Sequence, residues 1–304
     1  MKKPSLLLLL LSFFLFTFFL GCATGKTGDN SVKVLTIGNS FSISLMKYMP
    51  AVADSLALDL DLHSLYIGGC SMKRHMDNVK RAGRKDFRPY SYNRNLRGKA
   101  FPKKSVNLTD ILNGEVKFDI ITVQQASHES WNPECYRPWG DDLVKLIRET
   151  QPQAKIYVQE TWSYTPWEKR LATWGFDQDG MYDRLHAAYA EFAQRNGLEI
   201  IPMGTAVRRW RKELPVRYGE KTFGGDVVGG RGQREEDQFK RTADNRWEPN
   251  CDLSHLNDAG EYLQALVWTA KLFNEDVSEC EFRPESVSEE RARLMKSIAV
   301  ELAK

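Results

Sequence analysis

The sequence predicts an α/β protein: a three-layer sandwich with a five-stranded parallel sheet, helices on both faces and long loop insertions. Three observations lead there. Short apolar runs alternate along the chain with segments whose apolar residues fall at helical spacing. No stretch repeats another, which sets solenoids and propellers aside. The 304 residues are 42% hydrophobic, 27% charged and 11% aromatic, which excludes collagen-like, coiled-coil and disordered classes.

Met1-Lys2-Lys3 is a basic start, followed by the apolar run Leu6 to Leu20. That run falls short of the ~20 residues a membrane-spanning helix needs, and fits the apolar part of an export signal. It ends Phe19-Leu20-Gly21-Cys22, which resembles a bacterial lipoprotein signal, with Phe19 departing from the usual leucine. The resemblance implies lipidation of Cys22 and a place in the cell envelope, anchored to the membrane by lipid only. Residues 1–21 are then the signal and 22–31 a small, polar tether, leaving one domain over 32–304.

Val32 to Gly38 reads as a buried strand, and Ile43, Met46, Met49, Val52, Ala53 and Leu56 as the apolar stripe of a helix. Leu58, Leu60 and Leu62 alternate toward Gly68-Gly69 as a second strand, and Phe118 to Val123 is a third, covered on both faces. A helix from Asp141 to Thr150 leads to a fourth strand, Ala154 to Val158. Met181, Leu185, Ala188, Tyr189 and Phe192 mark a helix closed by Gly197, before a fifth strand from Leu198 to Pro202. Helices follow over Asp258 to Asn274 and Ser288 to Ala303, the last capped by Ser286 with Glu289. Two stretches, near 73–106 and 217–250, interrupt the alternation and read as long functional loops.

Reactive groups in such sheets collect at the carboxyl ends of strands. Ser40 sits at the first of these, in Gly38-Asn39-Ser40-Phe41-Ser42, where a helix begins at once. A serine there can serve as nucleophile, its own N–H facing a developing oxyanion, although serine is also an ordinary helix cap. Near the other end, Asp252-Leu253-Ser254-His255 precedes a helix. Asp and His three apart can face one side, the carboxylate fixing the imidazole tautomer so that the free nitrogen takes a serine proton.

Taken in order, Ser40, Asp252 and His255 resemble the SGNH hydrolases, also called the GDSL esterase family, in a bacterial lipoprotein branch similar to carbohydrate esterases. The resemblance implies a flavodoxin-like fold and a serine esterase that needs no cofactor or metal. Asn39 stands where that family usually has Asp. By the same resemblance Gly69 donates its N–H to the oxyanion, together with the N–H of Ser40. The family's Gly-x-Asn-Asp block is absent; Gln124, with Gln125 as second choice, stands in its place and can donate an amide N–H as Asn does.

His128, Glu160 and Trp162 are expected to touch substrate, and the tryptophans after the third and fourth strands to offer flat faces to sugar rings. The expected substrate is an acylated oligosaccharide or polysaccharide. A glycan-binding lipoprotein of the same fold without catalysis, and a methyl esterase acting on sugar acids, are the alternatives. No two histidines have ligand spacing, so a zinc hydrolase is not expected. Lys and Arg total 43 against 40 Asp and Glu, so bulk charge gives no reason to expect nucleic acid as partner. Cys70, Cys135, Cys251 and Cys280 could form two disulfides in an oxidising compartment or stay as buried thiols.

Overall fold

The apolar run Val32–Gly38 becomes β1, the strand around which everything else is ordered. The computed structural model describes residues 30–304 except 215, 217, 219 and 220; the signal segment and Cys22 lie outside the described residues. Ser31–Lys304 form one compact unit.

In chain order the helices and strands are β1, α1 (Ser40–Ile43), α2 (Met49–Ser55), β2 (Leu60–Tyr66), α3 (Met72–Arg81), β3 (Tyr90–Leu96), β4 (Lys99–Ala100), β5 (Lys104–Val106) and α4 (Leu108–Leu112). There follow β6 (Ile120–Val123), α5 (Trp139–Thr150), β7 (Lys155–Gln159), α6 (Lys169–Trp174), α7 (Gln178–Asn196), β8 (Glu199–Ile201) and α8 (Met203–Glu213). The chain closes with β9 (Phe239–Arg241), β10 (Trp247–Pro249), α9 (Asp258–Phe273) and α10 (Glu289–Ala303).

Five strands are parallel in the order β2-β1-β6-β7-β8, with Val34 opposite Leu62 on one side and Ile120 on the other. β1 and β6 are buried on both faces over most of their length, which is why they read as mainly apolar runs. The crossovers bring α2 against α9, and α5 against both α3 and α7. The winding reverses between β1 and β6. A crevice opens at such a reversal, outside the carboxyl ends of the two strands, and both Ser40 and Gln124 follow those ends.

Four expectations change. The first helix is split, because a short 3-10 turn at Ser44–Met46 intervenes and the chain re-enters a helix with Pro50 in its first turn. The stretch near 73–106 is structured: α3 packs beside α5, and β3 joins β2 antiparallel, extending the sheet to eight strands with β4 and β5. Its strand hides from apolar periodicity because β3 buries polar groups. Arg94 grips Asp61 through two hydrogen bonds of 2.8 Å, and Asp61 also meets His63 at 2.9 Å. The other insertion carries a β9–β10 hairpin. Finally, Ser288 caps α10 by accepting from the Arg291 N–H, whereas Ser286 bonds Asp258. All four described cysteines are free thiols.

Candidate active site

The turn after β1 is tight. A Cβ on Gly38 would stand 2.5 Å from Ser42 Oγ and 3.1 Å from the Gln124 side chain, so only glycine fits. Asn39 caps α1, its Oδ1 accepting from the Phe41 N–H at 3.0 Å, and this leaves Ser40 as the first helical residue with a half-exposed side chain. A one-turn helix has carbonyls with no partner of their own. That of Phe41 accepts from Gln159 Nε2 at 2.9 Å and Gln264 Nε2 at 2.8 Å, while Gln264 Oε1 accepts from the Ser44 hydroxyl at 2.7 Å. The nucleophile's turn is thus tied from below to β7 and α9.

Asp252 Oδ1 accepts from the backbone N–H groups of Ser254 at 2.8 Å and His255 at 2.6 Å, which folds the loop so that the ring swings over the carboxylate. His255 Nδ1 lies 2.6 Å from Asp252 Oδ2, and its Nε2 lies 2.7 Å from Ser40 Oγ. Because the carboxylate can only accept, it selects the tautomer with the proton on Nδ1 and leaves Nε2 to accept from Ser40. Burial pushes the Asp252 carboxyl up, but the His255 ring and the two loop N–H groups outweigh it and hold the group well below the usual carboxylate range. It is therefore an anion wherever the imidazole needs one.

The loop is held from outside as well. Gly229 N–H donates to His255 O and Gly230 N–H to Asp252 O, both at 2.9 Å, and Thr165 N–H donates to Leu253 O at 3.0 Å. At Gly230 φ is +70°, and a Cβ would strike the Gln238 amide at 2.3 Å. Phe41 lies against the imidazole with centroids 5.1 Å apart and stacks on Trp162 at 4.2 Å. Trp162 Nε1 in turn donates to Ser254 O at 2.9 Å.

The structure brings Ser40, Asp252 and His255 together. Gly69, exposed at φ +59°, sits in the loop after β2, which Asn39 Nδ2 ties to the nucleophile turn through a 3.0 Å bond to Cys70 O. Neither its N–H nor that of Ser40 donates to another group among the described residues. Gln124 is buried beneath Asn39 and spends one amide N–H on Asn39 Oδ1 at 2.6 Å, so only its second N–H remains for any other acceptor. Gln125 is turned elsewhere: its carbonyl accepts from Met72 and Ala126 N–H groups and its amide donates to Cys135 O at 2.7 Å.

Two expected substrate contacts are corrected. Trp162 is 1% exposed and has no face to offer a sugar; it props the histidine loop instead. Glu160 is 0% exposed, its oxygens taken by His186 Nδ1 at 2.7 Å and by Thr205 N–H and hydroxyl at 2.7 and 2.9 Å. His128 remains exposed, with Trp131 Nε1 donating to its carbonyl. Half-buried Trp131 and Trp174 pack 5.6 Å apart, and Arg170 lies over Tyr164 and Trp174. Trp167 does another job, anchoring the second insertion through Tyr218, Phe223 and Phe239. Among the described residues no cluster of three or more His, Cys, Asp or Glu side chains could hold a metal ion.

Sequence reading missed Gln159, Gln264 and the Gly229-Gly230 brace. A signal existed for one of them: Gln264 is an amide inside the apolar stretch Tyr262 to Val267, and a buried amide there must answer some buried polar group.

No curated protein matches the chain. Among solved structures it is similar to a DUF4886 family protein from Bacteroides uniformis ATCC 8492, at 25% identity and TM-score 0.73 over 90% of this chain and 94% of that one. An acetyl xylan esterase, AlAXEase, aligns at 16% identity and TM-score 0.41 over 79% of this chain and 99% of its own. A GDSL-like lipase from Bacteroides thetaiotaomicron VPI-5482 aligns at 10% identity and TM-score 0.36 over 79% and 87% respectively. The family model described as a domain of unknown function, DUF4886, matches residues 33–226, which run from β1 through the nucleophile turn to the base of the second insertion, and the chain belongs to that family.

Proposed function

We propose that the chain is a serine esterase that removes O-acetyl or a similarly small acyl group from a glycan. The observation that carries the reading is the line Ser40 Oγ, His255 and Asp252, with successive hydrogen bonds of 2.7 and 2.6 Å. Nucleophile, base and orienting carboxylate are each within reach of the next, which is the geometry that acyl transfer needs.

Ser40 Oγ attacks the ester carbonyl and its proton passes to His255 Nε2. The Asp252 anion stabilises the imidazolium. The N–H groups of Ser40 and Gly69, which donate to no other group among the described residues, receive the oxyanion in this reading. As the tetrahedral intermediate collapses, the C–O bond to the sugar breaks and the leaving alkoxide takes the proton from Nε2. Water then attacks the acyl-serine, its proton moves to Nε2 and on to Ser40 Oγ, and the acid departs.

A small acyl group is supported by what surrounds the serine. Buried Phe41 packs on Trp162, Tyr164 and His255, and the three buried aromatic rings form a wall and not a channel for a long chain. Glycan as the alcohol is supported by the half-buried pair Trp131 and Trp174 beyond the end of β6, whose flat faces suit sugar rings. The export and lipidation pattern ending at Cys22 belongs to the same reading: an enzyme tethered in the cell envelope meets polysaccharide there.

The test is Ser40→Ala. Release of acetate from acetylated polysaccharide should fall by roughly a thousandfold or more while circular dichroism and Tm stay those of the parent. Activity within tenfold of the parent removes the mechanism.

A further inference from the structure

One cavity lies apart from Ser40, His255 and Asp252. It measures about 570 Å³ and lies between the second insertion, the start of α9 and α10. Its position is informative, because Gly230 is in its wall and the same residue braces Asp252 O on the other side. A volume of this size suits a ligand of a few rings.

Three carboxylates line it, and each is already answered by a cation. Asp226 is fully buried with Arg211 at 2.9 Å. Glu261 takes Lys47 at 3.0 Å and Arg231 at 3.2 Å, and Asp258 takes Lys47. Arg291 is different. Its guanidinium lies 5.1 Å over the Trp210 ring, one N–H of Nη2 donates to Gly225 O at 2.9 Å, and its buried Nε has no partner. Alone among the lining cations, and counting the described residues, it has no carboxylate. Burial disfavours its charge, with Asp226 too weak to compensate. A half-buried guanidinium with no carboxylate partner on the wall of an open cavity is costly until an anion arrives. The rest of the lining includes groups of the kind that meet sugar hydroxyls, the amides of Gln233 and Gln238.

We propose that this cavity binds a sugar carrying a carboxylate, a uronate, with Arg291 receiving the carboxylate. The site rests on the glycan reading above and deepens it, placing an acidic residue of the polymer behind the loop that carries Asp252 and His255. It also gives the second insertion a role: Phe223, Gln233 and Gln238 all come from it.

Titration calorimetry and thermal melting of the intact protein with glucuronate, glucose and sodium sulfate test this directly. Glucuronate should bind and, at about 100 times its Kd, raise Tm by roughly 5 °C. Glucose and sulfate should bind at least tenfold more weakly. Arg291→Gln, which keeps an amide to reach Gly225 O, should weaken glucuronate by roughly tenfold or more with p-nitrophenyl acetate turnover unchanged. Absence of glucuronate binding to the parent, equal binding of glucose or sulfate, or undiminished binding by R291Q overturns the proposal. Should R291Q fail to fold, the three ligands on the parent still decide it. These readouts need no turnover, so failure of the esterase reading would appear separately, as loss of acetate release without change in uronate binding.

Discussion

The Phe41 carbonyl, one residue beyond Ser40, accepts a 2.8 Å hydrogen bond from Gln264, 223 positions along the chain. Gln264 is on α9, the helix that begins just after His255, so a single buried amide couples the turn that carries Ser40 to the segment that carries His255.

From that coupling follows a split in kinetic effects. Gln264→Leu leaves the Ser44 hydroxyl without its acceptor and the Phe41 carbonyl with one donor fewer, at a cost of about 1–3 kcal/mol in stability. Because α1 then drifts relative to His255, kcat for p-nitrophenyl acetate should fall by roughly tenfold with KM little changed. Unchanged kcat alongside a lowered Tm would make the amide purely structural.

Gly230→Ala should be worse than its size suggests. The position has φ +70° and an added Cβ would meet the Gln238 amide at 2.3 Å, so a loss of about 1–3 kcal/mol is expected, read as a lower denaturation midpoint. Displacing the Gly230 N–H also frees Asp252 O, so activity should drop further than at another left-handed glycine such as Gly232, where no atom crowds the added Cβ.

Acid should act through two carboxylates. Asp252 and Asp61 are both held below the usual carboxylate range, Asp61 at about 2 where the His63 and Arg94 hydrogen bonds outweigh burial. A group with a lowered folded pKa contributes stability that is complete above its unfolded value, near 3.9, and is lost as pH falls toward the folded value. Tm should therefore decline between pH 4 and pH 2, and less steeply in Asp61→Asn. A slope identical in parent and variant would detach Asp61 from acid stability.

His186 acts with the opposite sign. The hydrogen bond from its ring to buried Glu160 raises its pKa above the ordinary histidine value against the pull of burial. Its contribution is complete below the unfolded value near 6.5 and fades as pH rises through the higher folded value. In His186→Gln the fall in Tm above pH 6.5 should flatten.

β1 and β6 were legible because a strand buried on both faces leaves a mainly apolar run, as in Val34, Leu35 and Ile37, and β2 was legible through its alternating leucines. The meeting of Ser40, His255 and Asp252 was legible because Ser40 and the Asp252–His255 pair both abut helix starts. β3 was not, since Arg94 pairs with Asp61 and the buried Asn93 and Asn95 leave no period in hydrophobicity. The roles of Trp162 and Glu160 could not be read either. A residue just after a strand can point into the crevice or beneath it, and here both point beneath, where Ser254 O and Thr205 N–H wait for them. Gln124 illustrates the same limit: its place after β6 is correct for a cleft, yet Asn39 claims its amide.

The most direct measurement is mass-spectrometric mapping of the residue that a fluorophosphonate probe modifies. A single adduct on Ser40 is expected, with labelling slowed by at least a hundredfold in His255→Ala. An unlabelled Ser40 in a protein that still hydrolyses p-nitrophenyl acetate, or labelling at full rate without His255, would contradict it.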